Sequence, residues 1–234
     1  MRLALPQHKI VVDKIDDIEV TESSLDTLGA LQRVSLEGSI EDFGGSFKSD
    51  FNGKLFVTVY DKARNLRTLD NDNTGSTFSF SERQNILYKG SASVSAGRFS
   101  VDFILPKDIN FDFGPGHISL YATDNQSQDA IGFYDQVIIG GTSENAIVDN
   151  EGPEIDIFME DRSFSYGGST SSDPLMILDL SDENGINLSG TSIGHDITAT
   201  LDDINGKSIV LNNFYEPTVD KVGTGSIEYK LNDI

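Results

Sequence analysis

Residues 98–105 read Arg-Phe-Ser-Val-Asp-Phe-Ile-Leu, and Phe99, Val101, Phe103 and Leu105 fall on alternate positions. A period of two marks a β-strand with one packed and one wet face, because successive side chains of an extended chain point to opposite sides. A helix would need apolar residues at i, i+3, i+4 and i+7. The same alternation recurs on either side of this stretch. Val34, Leu36 and Ile40 share a parity in RVSLEGSIED, as do Leu55, Val57 and Val59 in GKLFVTVYD, and Ile118 and Leu120 in HISLYATD. DQVIIGG, ending at Gly141, is a more continuous apolar run. Between the runs lie Gly44-Gly45, Asp72-Asn73-Thr74-Gly75, Ala96-Gly97 and Gly114-Pro115-Gly116, which reverse the chain through positive or preset φ. Strands this closely spaced leave no room for crossover helices, so the expectation is an all-β protein with antiparallel pairing in a β-sandwich. Helical spacing occurs only weakly, from Ser24 to Leu31, where Leu25, Leu28 and Leu31 would make a turn or two.

The composition changes after Gly141. Residues 142–153, TSENAIVDNEGP, are mostly polar and end in Gly-Pro, and read as a linker between a first sandwich over 1–141 and a second unit over 154–234. The second unit alternates again: Ile155, Ile157 and Met159; Met176, Leu178 and Leu180; Ile197, Ala199 and Leu201. Further strands are expected at Ser208 to Leu211 and Ser226 to Leu231. An immunoglobulin-like sandwich has about seven strands, and about five are visible here. The second sandwich is therefore expected to be incomplete at its C-terminal side, with an open sheet edge prone to fraying or to a strand-swapped dimer.

Charge and residue usage exclude several classes of function. The chain has 234 residues, 17 Lys and Arg against 38 Asp and Glu, net −21, and no Cys. Without Cys there is no disulfide, no thiolate metal site and no cysteine nucleophile. So negative a surface repels phosphate backbones, which argues against nucleic acid as a partner. Acidity is concentrated toward the C-terminus: residues 1–148 carry net −8 and residues 149–234 net −13.

Candidate chemistry is sparse, and neither a catalytic, cofactor-binding nor metal site is assigned. His8, His117 and His195 are too far apart in sequence for a zinc ligand pair, and no nucleophile-positioning motif accompanies His195-Asp196. Asp70-Asn71-Asp72-Asn73-Thr74-Gly75 resembles the opening of a calcium loop, but position 12 falls on Ser81, with Glu82 one place late, so a hairpin tip is the simpler reading. VTVYDKARN, ISLYATDNQ and LDLSDENGI echo one another as strands running into an Asp. Asx-type turns account for them, with calcium between sandwich modules as the sharper alternative. Asp182-Glu183 and Asp202-Asp203 read as solvated loop charge, and Ser169 to Ser172 as flexible punctuation. Phe111, Phe113, Phe133, Tyr134 and Phe158 are expected in the core or between units, with a binding surface as the minority reading.

Four segments carry a family resemblance: RLALPQHKI at 2–10, FGPGHISLYATD at 113–124, DNEGPEIDIFM at 149–159 and SDENGINLSGTSIGHDITATLDD at 181–203. Together they resemble the region following the peptidase domain in the PorU family of type IX secretion system sortases, gingipain-type cysteine peptidases of Bacteroidetes. The resemblance implies an exported parent at the outer-membrane surface that removes C-terminal secretion signals from cargo proteins and joins them to anionic lipopolysaccharide. It implies as partners an upstream peptidase domain of the same parent and the outer-membrane β-barrel PorV. The family's catalytic Cys and His have no counterpart to carry over, since the chain lacks Cys. The expectation is a fragment with a noncatalytic scaffold or docking role, and the alternative is a cell-surface adhesive or carbohydrate-binding sandwich.

Overall fold

The computed structural model describes residues 5–21, 23, 25–146, 151–189, 196–201 and 206–232. The strands of the larger unit are β1 (His8–Ile15), β2 (Ile18–Glu19), β3 (Asp26–Ala30), β4 (Arg33–Glu41), β5 (Gly53–Tyr60), β6 (Arg64–Arg67), β7 (Ser79–Glu82), β8 (Ile86–Val94), β9 (Arg98–Ile104), β10 (Gly114–Pro115), β11 (His117–Thr123), β12 (Asp129–Tyr134) and β13 (Val137–Thr142). The remainder holds β14 (Glu154–Met159), β15 (Leu175–Ser181), β16 (Thr198–Leu201), β17 (Lys207–Val210), β18 (Tyr215–Pro217) and β19 (Thr224–Lys230), with one 3₁₀ turn at Asn212–Phe214. The protein is all-β, as the alternation requires.

The large sheet runs β8-β5-β11-β12-β1-β4-β9, with β2 appended to β1. Its two end strands are consecutive in sequence. They meet at a two-residue turn, where Ser95 and Arg98 exchange backbone hydrogen bonds of 2.9 and 3.0 Å. Ala96 (φ 48°) and Gly97 (φ 74°) supply the left-handed pair that such a turn demands, and a Cβ on Gly97 would sit 2.2 Å from the Lys48 carbonyl. The sheet thus curls until its ends touch. Val34, Leu36, Leu55, Val57, Val59, Phe103, Ile118 and Leu120 fill the inside and are fully or almost fully buried. A second, three-stranded sheet, β10-β13-β3, contributes Leu28, Val137 and Ile139 to the same core.

Two pairings are parallel, β1 with β12 and β13 with β3, and the other ladders among the described residues are antiparallel. The β3 pairing corrects the helical reading of Ser24 to Leu31. Leu28 and Ala30 are buried beside β13, with Leu28 opposite Ile139, so tertiary pairing overrides a weak three-residue spacing.

A second core is built on the sheet β14-β15-β19-β18 and the hairpin β16-β17. Met176, Leu178, Leu180, Leu188, Leu211, Tyr215, Ile227 and Leu231 are buried in it. Each expected strand of this region is present. The short β18 is additional; it starts directly after the 3₁₀ turn and ends in Pro217, so it carries no legible alternation.

The two cores meet along β8, the end strand of the large sheet. The Lys89 ammonium donates to the Tyr215 carbonyl (2.7 Å) and the Ser91 hydroxyl to the Pro217 carbonyl (3.2 Å). Asp220 completes the seam: its amide donates to Ser91 O (3.0 Å), and its carboxylate accepts the Ser93 amide (2.7 Å) and hydroxyl (2.6 Å). Hydrogen bonds to a charged acceptor are the stronger kind, and partial solvent exposure brings the expected cost of Asp220→Ala to about 1 kcal/mol. Calorimetry on this variant should show the second core melting ahead of the first, whereas an unchanged profile would mean that the seam does not couple them.

Candidate interaction surface

Alternation that buries one face of β5, β11 and β12 must present the other. Lys54, Phe56, Thr58 and Tyr60 point outward from β5, His117, Ser119 and Tyr121 from β11, and Ile131 and Phe133 from β12. Register sets the rings side by side. Tyr121 lies opposite both Phe56 and Ile131, Tyr60 opposite His117, and Ser119 opposite Phe133. Phe56 and Tyr121 stack with centroids 6.2 Å apart, while His117 packs 6.0 Å from Tyr60 and 5.8 Å from Phe133. The Lys54 ammonium stands 4.6 Å over the Phe56 ring. Phe133 is 67% exposed, Ile131 46% and Tyr121 40%. The result is an aromatic and aliphatic face on the outside of the curled sheet, of a kind that marks contact surfaces.

His117 hydrogen-bonds through Nδ1 to the Asp135 carboxylate. Its ring packs near those of Tyr60 and Phe133, so the couple orients an aromatic platform. His8 lies elsewhere, with Nε2 on Gln128 (3.0 Å) and its ring edge-on to Phe51. His195, Asp202 and Asp203 lie outside the described residues.

The phenylalanine expectations need correction. Phe111, Phe113 and Phe133 are exposed, Tyr134 is buried and Phe158 is half-buried. Phe111 and Phe113 belong to the segment before β10, whose backbone crosses Gly140 and Gly141 so closely that a Cβ on Gly140 would lie 2.7 Å from Phe113 Cα. Close backbone approach leaves the rings outside. On β12, Phe133 follows strand parity, which no local pattern phases because Gly132 interrupts the run.

The acidic motifs resolve into local turns. Asp70 Oδ1 accepts the Thr74 amide and hydroxyl (both 2.9 Å), and Oδ2 accepts the Gly75 amide (2.9 Å). These donors, with Thr74 Oγ1 foremost, hold its carboxyl below the usual range. Asp124 Oδ1 accepts the amides of Gln126, Ser127 and Gln128 (2.8 to 2.9 Å), and Asp182 Oδ1 that of Asn184 (2.8 Å). Both are strand-end turns. Asp61 differs: it is buried and forms an ion pair with the Lys62 ammonium at 2.6 Å. Among the described residues no group of three or more His, Asp or Glu side chains is placed to hold a metal ion. Asp182 and Glu183 line an open acidic cleft of about 370 Å³ with Glu151 and Glu154.

No protein-family model matches this chain, and no curated protein matches it. Among solved structures, the crystal structure of dimeric latent PorU from Porphyromonas gingivalis is similar to it over 100% of this chain, with 29% sequence identity and a TM-score of 0.60. The match takes in 22% of the PorU chain, so this chain spans about a fifth of that protein's length. The fold described above is therefore related to that of a segment of PorU, and it is carried here by a chain without cysteine.

Proposed function

We propose that this chain is a noncatalytic scaffold and docking region of a type IX secretion system sortase, at the cell surface and associated with the outer membrane. Its parent would be a cysteine peptidase that trims secreted cargo and attaches it to anionic lipopolysaccharide, with the reactive thiol in an upstream domain. Residues 1–141 and 154–234 would serve as two folding units joined through 142–153. The observation that carries this reading is the similarity of the whole chain to a PorU segment, in a sequence with no Cys to act as nucleophile.

The face of Tyr121, Ile131 and Phe133 is the docking surface in this reading, and the β-barrel PorV its partner. A longer polypeptide carrying the peptidase domain should co-purify with the barrel. Phe133→Ser combined with Tyr121→Ser should reduce retention at least tenfold, the loss expected for central aromatic anchors. Both side chains are exposed, so the variant should keep its stability within about 0.5 kcal/mol. Undiminished retention would count against docking through this face.

Exposed rings on neighbouring strands also favour the second reading, a carbohydrate-binding sandwich, since sugars stack on such platforms. A glycan array with and without calcium separates the two: binding lost in Phe133→Ser would support the sugar, and a blank array the scaffold.

A further inference from the structure

The second core is closed on one side and open on the other. On the inner face of its four-stranded sheet, Tyr215 of β18 is 3% exposed, Ile227 of β19 0% and Leu178 of β15 5%, while Ile157 of β14 is 59% exposed. Cross-strand register places these residues on one row: Tyr215 opposite Ile227, Ile227 opposite Leu178, Leu178 opposite Ile157. Ile155, opposite the buried Leu180, is 52% exposed. Two residues on the core-facing side of β14 are thus left bare. The facing residues Ile197, Ala199, Leu201 and Ile209 are themselves only partly buried.

The backbone is open at the same residues. Glu160 donates to Leu175 O at 2.7 Å, so the even-numbered residues of β14 form the hydrogen-bonded pairs with β15. Asp182 donating to Gly223 O on the far side of β15 requires the same phase. The N–H and C=O groups of Ile155 and Ile157 therefore point away from β15, along an edge of the sheet that no described strand covers. Among the described residues, unpaired backbone and uncovered apolar side chains coincide here, which is the requirement for adding a strand.

Charge selects among occupants. Residues 151–161 hold five acids, Glu151, Glu154, Asp156, Glu160 and Asp161, and no Lys or Arg. Arg162 is already committed to Asp179 through two hydrogen bonds of 2.8 and 2.7 Å. A second copy of a chain with net charge −21 would bring like charges to this edge. We propose that the free edge of β14 binds an extended segment of another polypeptide, apolar at alternate residues and flanked by Lys or Arg. Its backbone pairs with Ile155 and Ile157, and its apolar side chains close the second core.

The test uses the intact chain and two synthetic peptides that share an alternating Val-Thr centre, one flanked by lysines and one by glutamates. Calorimetric titration at low and high salt should show the lysine peptide binding at least tenfold tighter than the glutamate peptide, and weakening as salt rises. Hydrogen exchange at the Ile155 and Ile157 amides should slow at least tenfold with the lysine peptide. Ile157→Pro removes one outward N–H at an edge position that tolerates proline, and should abolish binding while the chain stays folded. The exposed Ile157→Ser, which keeps the N–H, should weaken binding without abolishing it. Equal binding of the two peptides, or unchanged exchange at these amides, overturns the proposal. So does protection that rises with protein concentration alone, which assigns the edge to a second copy, or protection already complete in a longer form of the polypeptide. The aromatic-face variant Phe133→Ser should leave peptide binding unchanged, so this proposal and the docking reading fail separately.

Discussion

Phe103→Ala is expected to lower the free energy of unfolding by about 3–5 kcal/mol, the range for removing a fully buried ring whose site cannot collapse. Phe103 has no exposed surface, lies opposite Val34 in the β4–β9 ladder, and stacks on Tyr88 at 4.9 Å with 21° between the rings. Its neighbours are pinned by strands on several sides, so relaxation into the space is limited. Domains of this kind are stable by roughly 5–15 kcal/mol, so the loss would be a large share of the total. The control is Phe133→Ala, the same deletion on the exposed face, expected within about 0.5 kcal/mol of the unaltered chain. Urea unfolding of both should separate them clearly; equal midpoints would mean that Phe103 does not sit in the packed interior described above.

The second large effect should appear at alkaline pH. Burial holds the Tyr215 phenol neutral and pushes its pKa up to about 12. Burial likewise raises Tyr88, with the charges of Tyr215 and Asp102 adding to it. Tyr134 is raised by burial and then by the hydrogen bond it donates to the Asp26 carboxylate at 2.6 Å. An unfolded chain ionises its tyrosines near pH 10, so above that value the unfolded state holds fewer protons than the folded one. Stability from these groups is therefore complete below about pH 10 and falls as pH rises through the folded-state values. Tyr215 alone accounts for about 2–3 kcal/mol between pH 10 and 12, and the three together for a slope approaching about 4 kcal/mol per pH unit. Denaturant unfolding at pH 8, 10, 11 and 11.5 would measure it. Tyr215→Phe should flatten the slope by about a third, and a flat profile in the parent chain would show that the phenols ionise without unfolding.

The first core is complete, with the curled sheet closed by the three-stranded sheet, and its outer surface is free to present Phe133, Tyr121 and Ile131. The second core is left open at β14, where no described residue matches the outward backbone of Ile155 and Ile157 and their side chains are exposed. A surface displayed on a rigid sheet suits contact with a preformed partner, and an open edge suits an extended one.

Alternation in the sequence determined that the chain is all-β and which side chains of a strand share a face: Phe99, Val101 and Phe103 of β9 and Leu105 just beyond it are all buried, as their spacing demands. Strand parity is a local property of an extended backbone, and eight residues suffice to express it. Asx turns at Asp124 and Asp182 were legible for the same reason, since a carboxylate bonds amides only a few residues away. Tertiary structure alone decided the rest. It chose the parallel neighbours of β1 and β3, made Asp26–Ala30 a strand where helical spacing was read, placed Phe111, Phe113 and Phe133 outside, and left Ile157 uncovered while Leu178 beside it is buried. These outcomes depend on which distant strand arrives alongside, and that is set by the summed packing of the whole core rather than by any local pattern.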